Sequence, residues 1–504
     1  MKYNNGLINM LSKGNPSQTA LIAPFKKMKI SYEMLQEQIH VMAKKLRKLG
    51  ICHGDMVISI LPNGIEMITS FFAVTSLSAV IAPLNPAYTT EEFHFYIKAI
   101  KPKALIIPGD GVTAALKPCL RDTIVIRLEL SQSDELLFST TKALDMSAST
   151  NFPYFDDTAL FLHTSGTTSK PKGVPLTHGN IIASIQNIIN LYNLSQEDVG
   201  LCVMPLFHVH GLLTPVLSTL ATHGTVIIPP RFSARNFWPT IKEYGVTWYS
   251  AVPTIHQILL SRANNDYAPK KSTIRFIRSS SMALPPSVMM AMEGRFGCPV
   301  IEGYGMTEAS HQISSNPLPP QERKAGTVGF GVGVNIKIMG NDGKFLPPET
   351  KGEIAIKGPN VIKGYFKNLD ANKKAFIKGW FRTGDLGMMS KNGYLSLLGR
   401  LKELINRGGE KISPHEIDYI LASHPKISEA ISFGMPDPKY GEEVACAVVL
   451  KDKLSKEEIT RFLETKLAQF KIPKIIYMLD HLPKTATGKI QRNIVARSLI
   501  GKNS

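Results

Sequence analysis

Leu162 to His178 reads LHTSGTTSKPKGVPLTH. A strand-like apolar lead enters a run of small hydroxyl residues and glycines, and a helix-forming segment begins beyond it. A loop of this composition can wrap phosphates with backbone N–H groups, with the hydroxyls of Thr164, Ser165, Thr167 and Thr168, and with the charge of Lys172. Gly166 lets the backbone approach closely. The GxxxxGK[ST] spacing is absent, because Lys172 precedes Gly173 and no hydroxyl follows directly, so the phosphoryl-transfer machinery of P-loop NTPases is not on offer. Taken singly, each of these residues also fits a flexible Ser/Thr-rich turn.

Working outward toward the N-terminus, strand-like runs alternate with helix-length segments: MVISILP (56–62), NGIEMITSFFAVTSL (63–77), AVIAPLNP (79–86), YTTEEFHFYIKAI (88–100) and ALIIPG (104–109). That alternation implies βαβ units and parallel sheets covered by helices. Toward the C-terminus the texture changes between about Gly326 and Gly399 to short strands and Gly/Pro turns, as in VNIKIMGNDGKFLPP and KGEIAIKGP. A small β-rich subdomain is expected there. GFGVGV (329–334) looks like a dinucleotide loop, but no helix pattern follows, so it reads as turns. Helix and strand patterns return on a compact scale after Arg400. The expected fold is α/β: a large N-terminal domain, 1–399, with a β-rich part at about 326–399, and a small mobile α+β domain, 402–504, joined by a hinge near Gly399 to Lys402.

The chain has 504 residues, 43% of them hydrophobic, enough for more than one core. Lys and Arg number 58 against 40 Asp and Glu, a formal charge of +18 that suits polyanionic small molecules. Nucleic acid is the competing partner for such a balance, but there is no basic stripe with interleaved aromatics and no finger spacing. The five cysteines lack CxxC or metal-ligand spacing and read as reduced thiols. No secretory signal is apparent, and the GKNS end matches no address signal, so a cytoplasmic protein is expected. The apolar stretch Met67 to Leu84 is broken by hydroxyl residues and Pro83, which suits a buried helix running into a strand better than a membrane span.

The loop at 162–178 resembles the phosphate loop of the adenylate-forming superfamily of acyl-CoA synthetases, luciferases and peptide-synthetase adenylation domains. Further segments resemble that family in order along nearly the whole chain. In EGYGMTEAS (302–310) the resemblance implies that Tyr304 stacks on adenine, Thr307 binds the α-phosphate and Glu308 holds Mg²⁺. In WFRTGDLG (380–387) it gives Asp385 to the ribose hydroxyls. GRLKELINRGGEKISPHEID (399–418) supplies Arg400 for the ribose and Lys402 as the hinge. PKTATGKIQR (483–492) supplies Lys489 as the catalytic lysine. Gly408 and Gly409 are implied to face the pantetheine tunnel for coenzyme A after the C-terminal domain swings. Alone, Asp385, Glu308 or Lys489 could be a turn carboxylate, a helix-start charge or a solvated lysine.

This chemistry demands such residues. A carboxylate is a poor electrophile, and its attack on the α-phosphate of ATP, with loss of pyrophosphate, turns it into a mixed anhydride. The transition state gathers negative charge, which Thr307, Lys489 and a cation on Glu308 would neutralise while the loop around Lys172 holds the departing phosphates. The implied reaction then passes the acyl group to coenzyme A, releasing AMP.

The acid pocket departs from the commoner pattern. PLFHVHGLL (205–213) puts His210 where the resembling 4-coumarate:CoA ligases carry Tyr, and Ser310, His311 and Gln312 stand where they carry Gly-Pro-Val. With His208, Ser280 and Ser281 this makes a polar pocket that a long alkyl chain would leave unsatisfied, whereas the second carboxylate of a short acid would pair with it. The set most resembles the oxalate:CoA ligase branch. His210 and His311 could instead be core histidines bonded to backbone, and His208 could only gate the tunnel. A ligase for fatty or aromatic acids and a catalytically inactive nucleotide-binding regulator are the rival functions.

Overall fold

The computed structural model describes residues 6–109, 114–120, 123–131, 135–142, 153–164, 171–263, 272–485 and 488–500. The α/β expectation holds, and four sheets organise the described chain. In the first, the strands run in space Leu136–Thr140, Ile124–Leu130, Ala104–Pro108, Met56–Ser59, Val80–Pro83, Thr158–Thr164 and Lys172–Thr177, with only the two outer strands antiparallel to their neighbours. The second has nine strands. Its central run, Val300–Met306, Phe276–Ser279, Trp248–Ala251, Val199–Leu201, Thr225–Ile227 and Thr19–Ala23, is parallel, and antiparallel strands close both ends.

Fully buried strands such as Trp248–Ala251 and Phe276–Ser279 follow from having helices on both faces, which removes the in–out alternation of a half-exposed sheet. The apolar stretch from Met67 forms a helix, Ile65–Ser76, buried along nearly its whole length, followed by the strand Val80–Pro83. Among the described residues no helix is long and apolar enough to cross a membrane. Cys202, Cys298 and Cys446 are buried free thiols and Cys52 is exposed.

The stretch after Gly326 contains an antiparallel five-stranded sheet built from Asn335–Met339, Lys351–Lys357, Trp380–Met389, Phe376–Ile377 and Leu395–Arg400. One detail differs from the expectation. Within 329–334, Phe330–Gly331 is not only a turn but a short edge strand that pairs with His311–Ser315.

The last sheet joins Glu410–Ile412, Ile405–Arg407, Gly441–Leu450, Ile427–Asp437 and Ile475–Met478. Strand periodicity splits Gly441–Leu450 between two small cores. Val444, Cys446 and Val448 face Ile417, Leu421 and Leu463, while Ala445 and Ala447 face Phe433, Val495 and Leu499. Neither core borrows a buried residue from the chain before Ile405.

Candidate active site

Thr164, Ser280, Ser281, Thr307 and Glu308 lie at or just past the carboxyl ends of parallel strands, the usual place for ligands in open α/β sheets. Thr164 closes the strand Thr158–Thr164 and pairs in register with Lys172. The phosphate-loop segment is thus the connection of a β-hairpin, and the helix His178–Tyr192 starts only after the second strand. The helix thus begins beyond the loop, as expected, and the intervening strand Lys172–Thr177 is what the sequence did not signal. That helix begins in a reciprocal capping box between Thr177 and Asn180, a feature worth about 1 kcal/mol, and Asn180 also donates to the Pro359 carbonyl at 2.7 Å. Ser165, Gly166, Thr167 and Thr168 lie outside the described residues.

Lys172 and Glu308 meet through Tyr365. The Lys172 ammonium stands 4.6 Å from the Tyr365 ring centre, and Tyr365 Oη donates to Glu308 Oε1 at 2.8 Å. Burial raises the Glu308 carboxyl pKa, opposed by the Tyr365 hydrogen bond and by the charges of Arg400 and Lys172. Burial lowers that of Lys172, Glu308 pushes it back up, and Lys402 pushes it down. Thr307 opens a single 3-10 turn, Thr307–Ala309, and is half-buried beside this carboxylate.

No group of three or more His, Cys, Asp or Glu side chains among the described residues could cage a metal. One buried carboxylate beside a phosphate-loop lysine does suit Mg²⁺, which keeps waters and completes its shell with substrate phosphates.

Asp385 and Arg400 face each other across paired strands. Arg400 Nε lies 2.8 Å from Asp385 Oδ1, and Tyr304 Oη donates to Asp385 Oδ2 at 2.5 Å. Gly384, at φ 74°, turns the strand at this point, a conformation costly for any residue with a Cβ. Burial and the adjacent carboxylate keep the Tyr304 phenol protonated.

Lys489 lies in a Gly turn that reaches across from the C-terminal sheet. Thr254 Oγ1 donates to the Gly488 carbonyl at 3.0 Å, fastening this turn to the large domain. Surrounding protein crowds the Lys489 ammonium and lowers its pKa, helped by Arg400 and opposed by Glu403 and Asp385. Its side chain nevertheless keeps contact with solvent, as expected in an interdomain cleft. The segment Leu401–Glu403, which includes Lys402, is tied to the small domain. Arg492 bonds Glu403 and Asp418, each at 2.9 Å. Although burial pushes the other way, His415 and Arg492 hold the Glu403 carboxyl down to about 2.

The polar pocket has a definite construction. His210 sits on a helical stretch whose next turns, Leu212–Leu217, are π-wound around Pro215. Such widened turns recur at functional sites because they re-aim side chains. His210 Nε2 is 2.7 Å from Ser250 Oγ and Nδ1 is 3.1 Å from Ser281 Oγ. The His311 ring stacks on it at 4.9 Å between centres, with an 18° interplanar angle. These partners are hydroxyls and a second imidazole, so His210 is not a core histidine bonded to backbone.

Burial first, and Arg278 next, hold both imidazoles neutral. His311 Nε2 is buried with no partner among the described residues. Ser281, at φ 73°, and His311, at φ 80°, both occupy left-handed backbone, a strain that clusters at binding sites.

The remaining expected residues fall differently. Ser280 is fully buried and spends its hydroxyl hydrogen on the Gly303 carbonyl at 2.9 Å, so only Ser281 of the pair is exposed. His208 stands next to Phe207, with burial pushing its pKa down to about 4. Gly408 and Gly409 form an exposed hairpin turn at φ 57° and 96°, and the Gly408 N–H donates to the Tyr440 carbonyl at 2.8 Å. Sequence reasoning missed Tyr365, Ser250 and Arg278. Arg278 alone carried a signal: it is a charge directly after the apolar pair Phe276 and Ile277 in RFIRSS (275–280).

Residues 11–366 match the AMP-binding enzyme family, and 416–489 match its C-terminal domain. The chain belongs to the AMP-binding enzyme family. Within it, an oxalate–CoA ligase of Arabidopsis thaliana is 45% identical over 99% of both chains. An oxalate–CoA ligase of Saccharomyces cerevisiae is 45% identical over 89% of this chain and 88% of its own. The solved o-succinylbenzoate coenzyme A synthetase of Bacillus subtilis, in complex with ATP and magnesium ion, superposes with a TM-score of 0.84 at 31% identity, covering 97% of this chain and 98% of its own. This AMP-binding enzyme is accordingly an ATP-dependent carboxylate:CoA ligase that uses ATP, Mg²⁺ and coenzyme A.

Proposed function

We propose that the acid is oxalate or another short dicarboxylate. The observation that carries this reading is the His210–His311 stack: two neutral, buried imidazoles, one with a free nitrogen, beside the exposed Ser281 hydroxyl, polar groups that offer nothing to an alkyl chain. Burying a long apolar acid there would leave His311 Nε2 and the Ser281 hydroxyl hydrogen unpaired, whereas a second carboxylate accepts from such donors. The 45% identity to two oxalate–CoA ligases supports the same acid.

In this reading the reactive carboxylate attacks the α-phosphorus of ATP. The new P–O bond forms as the bond to pyrophosphate breaks. Thr307 and Lys489 stabilise the charge at the α-phosphate, and Lys172 and the hydroxyl loop receive pyrophosphate. Glu308 would hold Mg²⁺, which supplies charge neutralisation on the phosphates. Tyr304 stacks on adenine, while Asp385 and Arg400 hold the ribose. Residues 1–399 carry ATP and acid, and 402–504 form the moving part that brings Lys489 in and excludes water from the adenylate.

Rotation about Lys402 would then withdraw Lys489 and bring Gly408 and Gly409 to the tunnel. There the coenzyme A thiolate attacks the acyl carbon and AMP leaves. The cytoplasm is the proposed site of this reaction.

An equimolar mixture of oxalate, malonate, acetate, coumarate and octanoate, given with ATP and coenzyme A, tests the acid by mass spectrometry of the thioesters. Oxalyl-CoA should dominate. Octanoyl- or coumaroyl-CoA as the main product would sink the pocket argument, and no thioester with any acid would favour an inactive regulator.

A further inference from the structure

We infer that Arg278 is a positioning residue for the acid: through Ser250 and His210 it fixes the direction of a hydrogen-bond chain that aims the Ser281 hydroxyl hydrogen into the cleft, toward the acid's anionic end. This rests on the short-dicarboxylate reading above.

Arg278 is fully buried, and its three hydrogen-bond acceptors are neutral: Tyr192 Oη at 2.9 Å, Ser250 Oγ at 3.1 Å and Gln312 Oε1 at 2.9 Å. None of the ion pairs among the described residues includes it. A guanidinium only donates, so each partner must accept and send its own hydrogen onward. Ser250 Oγ accepts from Arg278 and has one acceptor left in reach, His210 Nε2 at 2.7 Å. The hydrogen of neutral His210 is therefore on Nδ1, where it is donated to Ser281 Oγ at 3.1 Å. Ser281 has no other hydrogen-bond partner among the described residues, so its own hydrogen points outward from an exposed, left-handed position.

The other branches agree in polarity. Tyr192, accepting from Arg278, donates to Ser315 Oγ at 2.8 Å, and Gln312, accepting through Oε1, donates from Nε2 to the Ser314 carbonyl at 3.3 Å. A buried cation without a carboxylate partner is unfavourable by itself. An anionic acid at the end of the chain offsets it, whereas a neutral alkyl end would not.

The test measures pyrophosphate release against acid and, separately, against ATP for wild type, Ser250→Ala, Ser281→Ala, the double variant and Arg278→Lys. Ser250→Ala should raise the oxalate KM about tenfold, the size of one lost hydrogen bond to a charged group, and leave the ATP KM within error of wild type, while the thermal midpoint falls because Arg278 and His210 each lose a buried partner. The double variant should be no worse than Ser281→Ala alone, because both cut one chain.

An oxalate KM unchanged in Ser250→Ala, equal rises in both KM values, or additive effects in the double variant would overturn the inference. Arg278→Lys, which keeps the charge but loses the fork, should fall between wild type and Ser250→Ala; if it does not fold, the serine cycle still decides. The wild-type acid profile alone decides the dicarboxylate reading. The coupling between Ser250 and Ser281, measured with whichever acid the wild type uses, decides the chain.

Discussion

Asp385 is held from two sides at once: Arg400 Nε at 2.8 Å on one oxygen and Tyr304 Oη at 2.5 Å on the other. Tyr304, 81 positions earlier in the chain, and Arg400 thus share the one carboxylate of Asp385. Asp385→Asn keeps the shape and removes the charge, leaving Arg400 with a weaker partner. The ATP KM should rise about tenfold or more, with a smaller effect on the acid KM. Titration of ATP at saturating acid checks this, and an unchanged ATP KM would remove Asp385 from the nucleotide site.

In the proposed role Lys489 must be charged to stabilise the α-phosphate, and crowding lowers its pKa. A lowered amine pKa means that the charged form is lost at lower pH than for an ordinary lysine. Adenylation should therefore fall on an alkaline limb below pH 10.5, and Lys489→Arg should move that limb upward. Lys489→Ala should lose adenylation by about a hundredfold or more while still making thioester from supplied adenylate. A pH profile of each half-reaction separates the two. Normal adenylation by Lys489→Ala would refute the role.

Much of this site was legible because its residues travel in short motifs. Tyr304, Glu308, Asp385, Arg400 and Lys489 could each be placed by position within a recognisable string. The pocket was legible only in part. His210 and His311 stood out as unusual residues, but Ser250 and Tyr365 are ordinary members of strand and loop segments, and their roles exist only through distances set by the sheet order. Ser280 and Ser281 show the same limit. Adjacent and chemically alike, they part at the end of Phe276–Ser279, where one turns to the Gly303 carbonyl and the other to His210. The hairpin setting of the phosphate loop was hidden too, because KGVPLT has no strong strand signature of its own apart from its pairing with Thr158–Thr164.

Glu302 offers a stability test independent of catalysis. Its carboxyl accepts from the Leu284 N–H at 2.8 Å, its second oxygen is buried without a partner among the described residues, and burial pushes its pKa up to about 8. The folded state thus keeps a proton that the unfolded chain releases near pH 4.5, so stability falls as pH rises from there toward 8. Glu302→Gln retains the acceptor and cannot ionise. Its thermal midpoint should match wild type near pH 5 and exceed it at pH 8 and above. A wild-type advantage at pH 8 would show that the carboxylate is stabilised in the fold.

The central claim is that this enzyme activates a small dicarboxylate as its adenylate, and exchange of labelled pyrophosphate into ATP without coenzyme A measures that step alone. Exchange should depend on oxalate and be absent with octanoate. Exchange with octanoate and none with oxalate would contradict the account.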